Sequence, residues 1–132
     1  LRDIVEVRIT LDNALTEPVT QAWKNRQDPE LDQIVEQMDL HAQKGELFTD
    51  QDRRFHMRLL EPLDNHLFLH LTEAFWAVHT LTVPLLGAPR PEDMVATARA
   101  HQDMLQAARA GDAQAYRQAV TQHYAPLLAA LT

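Results

Sequence analysis

Four polar side chains stand where a helical protein places apolar ones, and they are of the types that bind metal. Asp52 and His56 fall four residues apart within the pattern Phe48, Asp52, Phe55, His56, Leu59, Leu60, Leu63. That spacing puts both on one helix face, together with the apolar residues. A carboxylate buried there is costly unless it is paired or held by a cation. His101 sits at the centre of a second stripe, Met94, Ala98, His101, Leu105, Ala108. His123 sits at the centre of a third, Tyr116, Ala119, Val120, His123, Leu127, Leu131. His101 precedes Gly111 by ten residues and His123 follows it by twelve. At about 1.5 Å per residue, these are heights of roughly 15 and 18 Å above one turn, so the two rings can face each other across a hairpin. With the Asp52–His56 helix packed alongside, all four can converge. Three imidazoles and one carboxylate form a donor set of borderline softness, suited to Zn or Ni, or to Mn or Fe. Taken singly, each histidine fits a satisfied core residue equally well; the inward placement of all four is what points to metal.

Arg8 lies between Ile4 and Leu11 on an apolar face. A half-buried guanidinium there can capture a carboxylate in bidentate fashion. The alternative is an ion pair with Asp12, four residues on. His66 and His70 form a rival pair at the same spacing, but they flank their stripe and read as boundary residues. Asn65 reads as a helix cap or a polar pocket residue, His79 as packing or loop-facing, and His41 as a solvated helix-end residue. Trp23, Phe75 and Trp76 read as core or interface.

Six helices and no strands must position these groups. The first runs from about Arg2 to Arg26, with a kink or break expected at Pro18. The second opens with Asp28 as N-cap and Pro29 at the first helical position, and ends near Lys44-Gly45. Thr49 or Asp50 caps a third, which runs to about Leu60. The fourth starts at Asp64 or Asn65 and carries the stripe Leu67, Leu71, Ala74, Phe75, Val78 toward the Pro84–Pro91 region. The fifth begins at Pro91-Glu92-Asp93 and stops at Gly111; Asp112 caps the sixth. The short connections imply antiparallel neighbours in one all-α bundle.

Composition narrows the chemistry further. A chain of 132 residues that is 45% hydrophobic suits one domain with its own core. The absence of cysteine removes disulfides, thiolate zinc sites and cysteine nucleophiles. A net charge of -7 makes this chain by itself a poor partner for nucleic acid. No apolar run has the length of a membrane span and no signal segment opens the chain, so a cytoplasmic location is expected. Leu1 stands where a methionine would open a translated chain, consistent with a processed protein or part of a longer one.

Asp52-Arg53-Arg54-Phe55-His56 resembles the D-x-x-F-H motif of the FCD domain, the C-terminal effector-binding domain of FadR-type regulators in the GntR family. His101-Gln102-Asp103-Met104-Leu105, then Ala110-Gly111-Asp112 and His123, are similar to that family's later motifs in the same order. Arg8 and Leu11 match its R-x-x-L element, with Asp12 where glutamate is common, and Asn65 falls at its asparagine. The resemblance covers nearly the whole chain. It implies a helical bundle in which Asp52, His56, His101 and His123 hold a divalent metal. It further implies that Arg8 and Asn65 contact a small carboxylate metabolite, that the domain pairs as a homodimer, and that DNA is read by an N-terminal winged helix-turn-helix domain absent from this chain. On this reading the chain is a sensor and not an enzyme. Three rivals remain: a metal-dependent enzyme, a di-iron carboxylate bundle (Glu46 and Glu73 do not supply its pattern), and a metal-free helical interaction domain.

Overall fold

The computed structural model describes residues 1–131. Seven α-helices and no strand are present among them. In chain order they are α1 (Arg2–Ala14), α2 (Thr16–Trp23), α3 (Pro29–Gln43), α4 (Thr49–Leu60), α5 (His66–Thr82), α6 (Pro91–Ala110) and α7 (Ala113–Ala130). Short 3-10 turns, Glu61–Leu63 and Val83–Leu86, flank α5. No described helix is long and apolar enough to cross a membrane.

The expected first helix is two helices, and the break falls at Leu15 instead of at Pro18. A proline inside a helix lacks the N–H and crowds the carbonyl four residues back, here that of Ala14. Ending α1 at Ala14 and restarting at Thr16 moves Pro18 into a first turn, where no intrahelical N–H is required. The second helix starts as expected: the Asp28 carboxylate accepts from the backbone N–H groups of Glu30 and Leu31, at 3.0 and 3.3 Å. Phe48, and not Thr49 or Asp50, occupies the N-cap position of α4, which has no side-chain cap.

α6 is the central helix and packs on α2, α3 and α7. The turn from α6 to α7 needs Gly111 for two reasons. Its φ is +68°, and a Cβ there would lie 2.9 Å from the Lys24 side chain. Asp112 then caps α7 by accepting from Ala115 N–H at 3.0 Å. The core draws Val19 and Trp23 from α2, Leu31, Ile34 and Met38 from α3, Phe55 and Leu59 from α4, and Met104, Ala108 and Val120 from the hairpin. Trp23 donates its indole N–H to the Leu59 carbonyl at 2.8 Å, so its buried ring carries no unpaired donor.

The orientation of α5 departs from expectation. Periodicity places the stripe Leu67, Leu71, Ala74, Phe75, Val78 toward the core. Instead Thr72 and Trp76 are the buried residues of α5, and Leu67 and Leu71 are exposed. α5 is apolar on two sides, and periodicity cannot say which side the bundle covers.

Asp28 does more than cap. Its second oxygen accepts from Arg58 Nε of α4 at 2.8 Å, tying α3 to α4. Burial would raise its pKa, but the hydrogen bonds from Arg58 and from the helix N–H groups outweigh this and hold it below the usual value. Asp28→Ala should cost about 2 kcal/mol in urea unfolding at pH 7, a cap plus a lost charge partner. In the parent protein this contribution is complete above the unfolded carboxyl value near 3.8 and fades as pH falls through the lower folded value. The difference between parent and variant should therefore shrink in acid.

Candidate metal centre

α4 supplies Asp52 and His56 one turn apart, α6 supplies His101 and α7 supplies His123. The three imidazole Nε2 atoms form a near-equilateral triangle: His56 to His123 is 3.1 Å, His56 to His101 is 3.2 Å, and His101 to His123 is 3.1 Å. Asp52 Oδ1 lies 2.7 Å from His101 Nε2, 3.1 Å from His56 Nε2 and 3.8 Å from His123 Nε2. The three histidines are buried and the Asp52 side chain is 14% exposed. Phe55 meets His101 edge-on at 4.9 Å and Trp76 tilts over His56 at 5.9 Å, so apolar rings hold the imidazoles in place.

The protonation pattern suits a cation. His101 Nδ1 lies 2.8 Å from the Thr97 carbonyl, which can only accept, so Nδ1 carries the hydrogen. In the neutral ring, Nε2 then turns a lone pair toward a carboxylate oxygen 2.7 Å away. Two lone pairs at that distance repel unless a proton or metal ion lies between them. Burial lowers the pKa of His56, though Asp52 opposes the shift. Burial and the nearby His101 push His123 well below the usual imidazole value. Burial would raise the pKa of Asp52, yet the three imidazoles hold it well below the carboxylate range. Neutral His56 and His123 and an ionised Asp52 are metal-ready, because few protons must leave when an ion enters.

Ligand spacing fits as well. The ligand atoms lie 2.7–3.8 Å apart, within the span of ligands around a single divalent ion, so Asp52, His56, His101 and His123 would hold one ion together. His123 Nδ1 is buried with no hydrogen-bond partner among the described residues.

The FCD domain family model matches residues 3–126. This chain belongs to the FCD domain family. A relative from Micromonospora viridifaciens, named "Putative transcriptional regulatory protein NedR", is 43% identical over 98 residues, covering 74% of this chain and 70% of its own. No solved structure matches the chain significantly.

Arg8 of this FCD domain lies beside the centre. It is 5% exposed, and its guanidinium sits 4.9 Å from the Trp76 ring and 5.3 Å from the Tyr124 ring. It donates to His79 Nδ1 at 3.1 Å. The alternative pairing with Asp12 does not form: Asp12 accepts from the Tyr124 hydroxyl at 2.5 Å. No carboxylate lies within ion-pair distance of Arg8 among the described residues. Arg8, Asp12, His56, Trp76 and Tyr124 line one small cavity of about 20 Å³. Trp76 Nε1 is a buried donor with no partner among the described residues.

Asn65 stands apart from this group. It is exposed and caps α5, its side-chain oxygen accepting from Leu67 N–H at 3.1 Å. His66 and His70 are exposed, and the His41 side chain is 37% exposed. The residues that sequence reasoning did not assign are Trp76, His79 and Tyr124. For Trp76 and His79 the signal was a mixed face on α5 (Thr72, Trp76, His79) opposite the leucine stripe; Tyr124, on α7, gave none.

His79 is held neutral down to about pH 4, by burial first and then by the Arg8 charge. An unfolded imidazole titrates near 6.5. Between those values the unfolded chain takes up a proton that the folded chain refuses, so stability from neutral His79 is complete above 6.5 and is lost as pH falls toward 4. In metal-free protein, His79→Gln should show a shallower fall in unfolding free energy over that window than the parent. Parallel curves would contradict the assignment.

Proposed function

We propose that this FCD domain is the sensor of a transcriptional regulator, binding a small organic acid at a divalent metal held by Asp52, His56, His101 and His123. The observation that carries the acid is Arg8, a buried cation with no carboxylate partner among the described residues. A buried charge left in that state is costly, and an incoming carboxylate relieves it. Trp76 Nε1 offers a further free donor on the same wall. The regulatory role is supported by family membership and by the printed name of the relative.

The donor set favours Zn or Ni, with Mn or Fe next. When bound, the ion supplies Lewis-acidic charge for an effector oxygen. A cavity of about 20 Å³ holds little more than a water, so an acid enters only if Arg8 or Trp76 moves. Drawing Arg8 toward a carboxylate breaks its contact with His79 and loosens α5 from α1. This provides the differential contact that any effector-driven change requires. On this proposal the domain works in the cytoplasm as a homodimer, and DNA is bound by a winged helix-turn-helix domain outside these residues.

The test uses protein purified without a polyhistidine tag, stripped with chelator, and reloaded with single metals. Thermal shift and calorimetry against a panel of small mono-, di- and hydroxy-acids should find binding to the reloaded protein only. Arg8→Gln should retain the metal and lose at least about 30-fold in acid affinity, the cost of removing one partner of a buried charge pair. Unchanged acid affinity in the Asp52→Ala, His56→Ala double variant would falsify the metal's role.

A further inference from the structure

The outward side of α5, with the short turn after it, carries an apolar stripe of unusual regularity. Leu67, Leu71, Ala74, Val78, Leu81 and Leu85 follow spacings of 4, 3, 4, 3 and 4 residues. That is the 3.5-residue repeat of a helix that pairs with another helix. Leu67 is 61% exposed, Leu71 38%, Leu81 76% and Leu85 82%. Within its own chain α5 packs mainly on α4, which leaves this far side uncovered. Beside the stripe runs an open groove of about 380 Å³, lined by Arg53, Glu73, Trp76, Ala77, Thr80 and Leu81.

We infer that this stripe is the surface through which two copies of the chain pair, with α5 lying antiparallel against α5 of the second copy. The inference rests on the homodimer proposed above and adds where the pairing occurs. Three observations favour a second copy as the occupant. The stripe is self-complementary within α5: reversed about Trp76, Leu71 meets Leu81 and Ala74 meets Val78, and Leu67 reaches toward the turn that carries Leu85. The four leucines leave on the order of 900 Å² uncovered across two copies, close to the roughly 1,000 Å² that a specific interface must clear. Finally, Glu73 is the only acidic or basic residue (DEKR) on α5, in a chain with net charge -7, so this is a face where two copies meet with little repulsion.

Charge also sets the direction. In a parallel pair the two Glu73 carboxylates would sit at one height; in the antiparallel pair they are about 9 Å apart along the axis. The groove beside Leu81 then receives Leu71 of the second copy. Because Trp76 and His79 on the inner side of α5 form the wall around Arg8, the same helix touches both the sensor cavity and the seam.

The seam is tested by sedimentation velocity over a range of concentrations, with circular dichroism as the check on folding. The parent protein should be a dimer. Leu71→Glu, Leu81→Glu together should raise the dissociation constant at least 100-fold with helical content retained, while Leu128→Glu on α7 should leave it unchanged. The chain has no cysteine, so engineered ones report cleanly. Leu71→Cys, Leu81→Cys together should form a disulfide-linked dimer on oxidation, and Leu71→Cys alone should not. A parent that stays monomeric overturns both the pairing and the seam. A folded double-glutamate variant that remains dimeric, or failure of the cysteine pair to cross-link, overturns the seam while leaving the pairing standing.

Discussion

Inside the bundle, an ionised carboxylate and three imidazole nitrogens point at one another over 2.7–3.8 Å, with little water to soften the contact. Such a cluster is costly unless a proton or a cation sits within it. Its geometry in turn depends on three helices meeting at fixed heights. α4 must present Asp52 and His56 on one face, and the α6–α7 hairpin must bring His101 opposite His123. Gly111 and Asp112 set that hairpin's register, and Thr97 sets the tautomer of His101. The apolar rings of Phe55 and Trp76 keep the imidazoles from turning away. Much of the local sequence of α4, α6 and α7 thus serves one convergence point.

The cavity beside that point is defined by what it lacks. Arg8 rests between two aromatic rings and leans on a neutral histidine, contacts that accommodate a guanidinium without cancelling its charge. Trp76 keeps an unused donor next to it. An interior built only for stability would satisfy both groups. The small volume means that occupancy and rearrangement come together, and the rearrangement falls on α1 and α5, the helices that share the Arg8–His79 contact. α5 packs mainly on α4, so it can shift at lower cost to the core than the central helix α6.

Legibility varies with the kind of signal. Caps and breakers with a local mechanism are legible: Asp28-Pro29, Asn65, Gly111-Asp112. Pro18 is recognisable as a breaker, but the break falls at Leu15, because moving the helix start lets proline sit in a first turn. Asp52, His56, His101 and His123 are legible because polar residues on apolar stripes stand out. Asn65 matches a motif position, yet its oxygen is engaged at the end of α5. Trp76, His79 and Tyr124 are not legible as site residues, since an aromatic or a histidine on a helix face looks the same whether it packs or lines a cavity.

The amino-acid sequence alone determined the all-α class, most helix ends, and the inward placement of Asp52, His56, His101 and His123, because periodicity and capping act over a few residues. Tertiary structure decided matters that require knowing which faces meet. It decided that Arg8 lies by Trp76 and Tyr124 instead of pairing with Asp12. It decided that α5 turns Thr72 and Trp76 inward and its leucines outward. A helix that is apolar on two sides carries no local record of which side is covered; only the packing of α4 against it settles that choice.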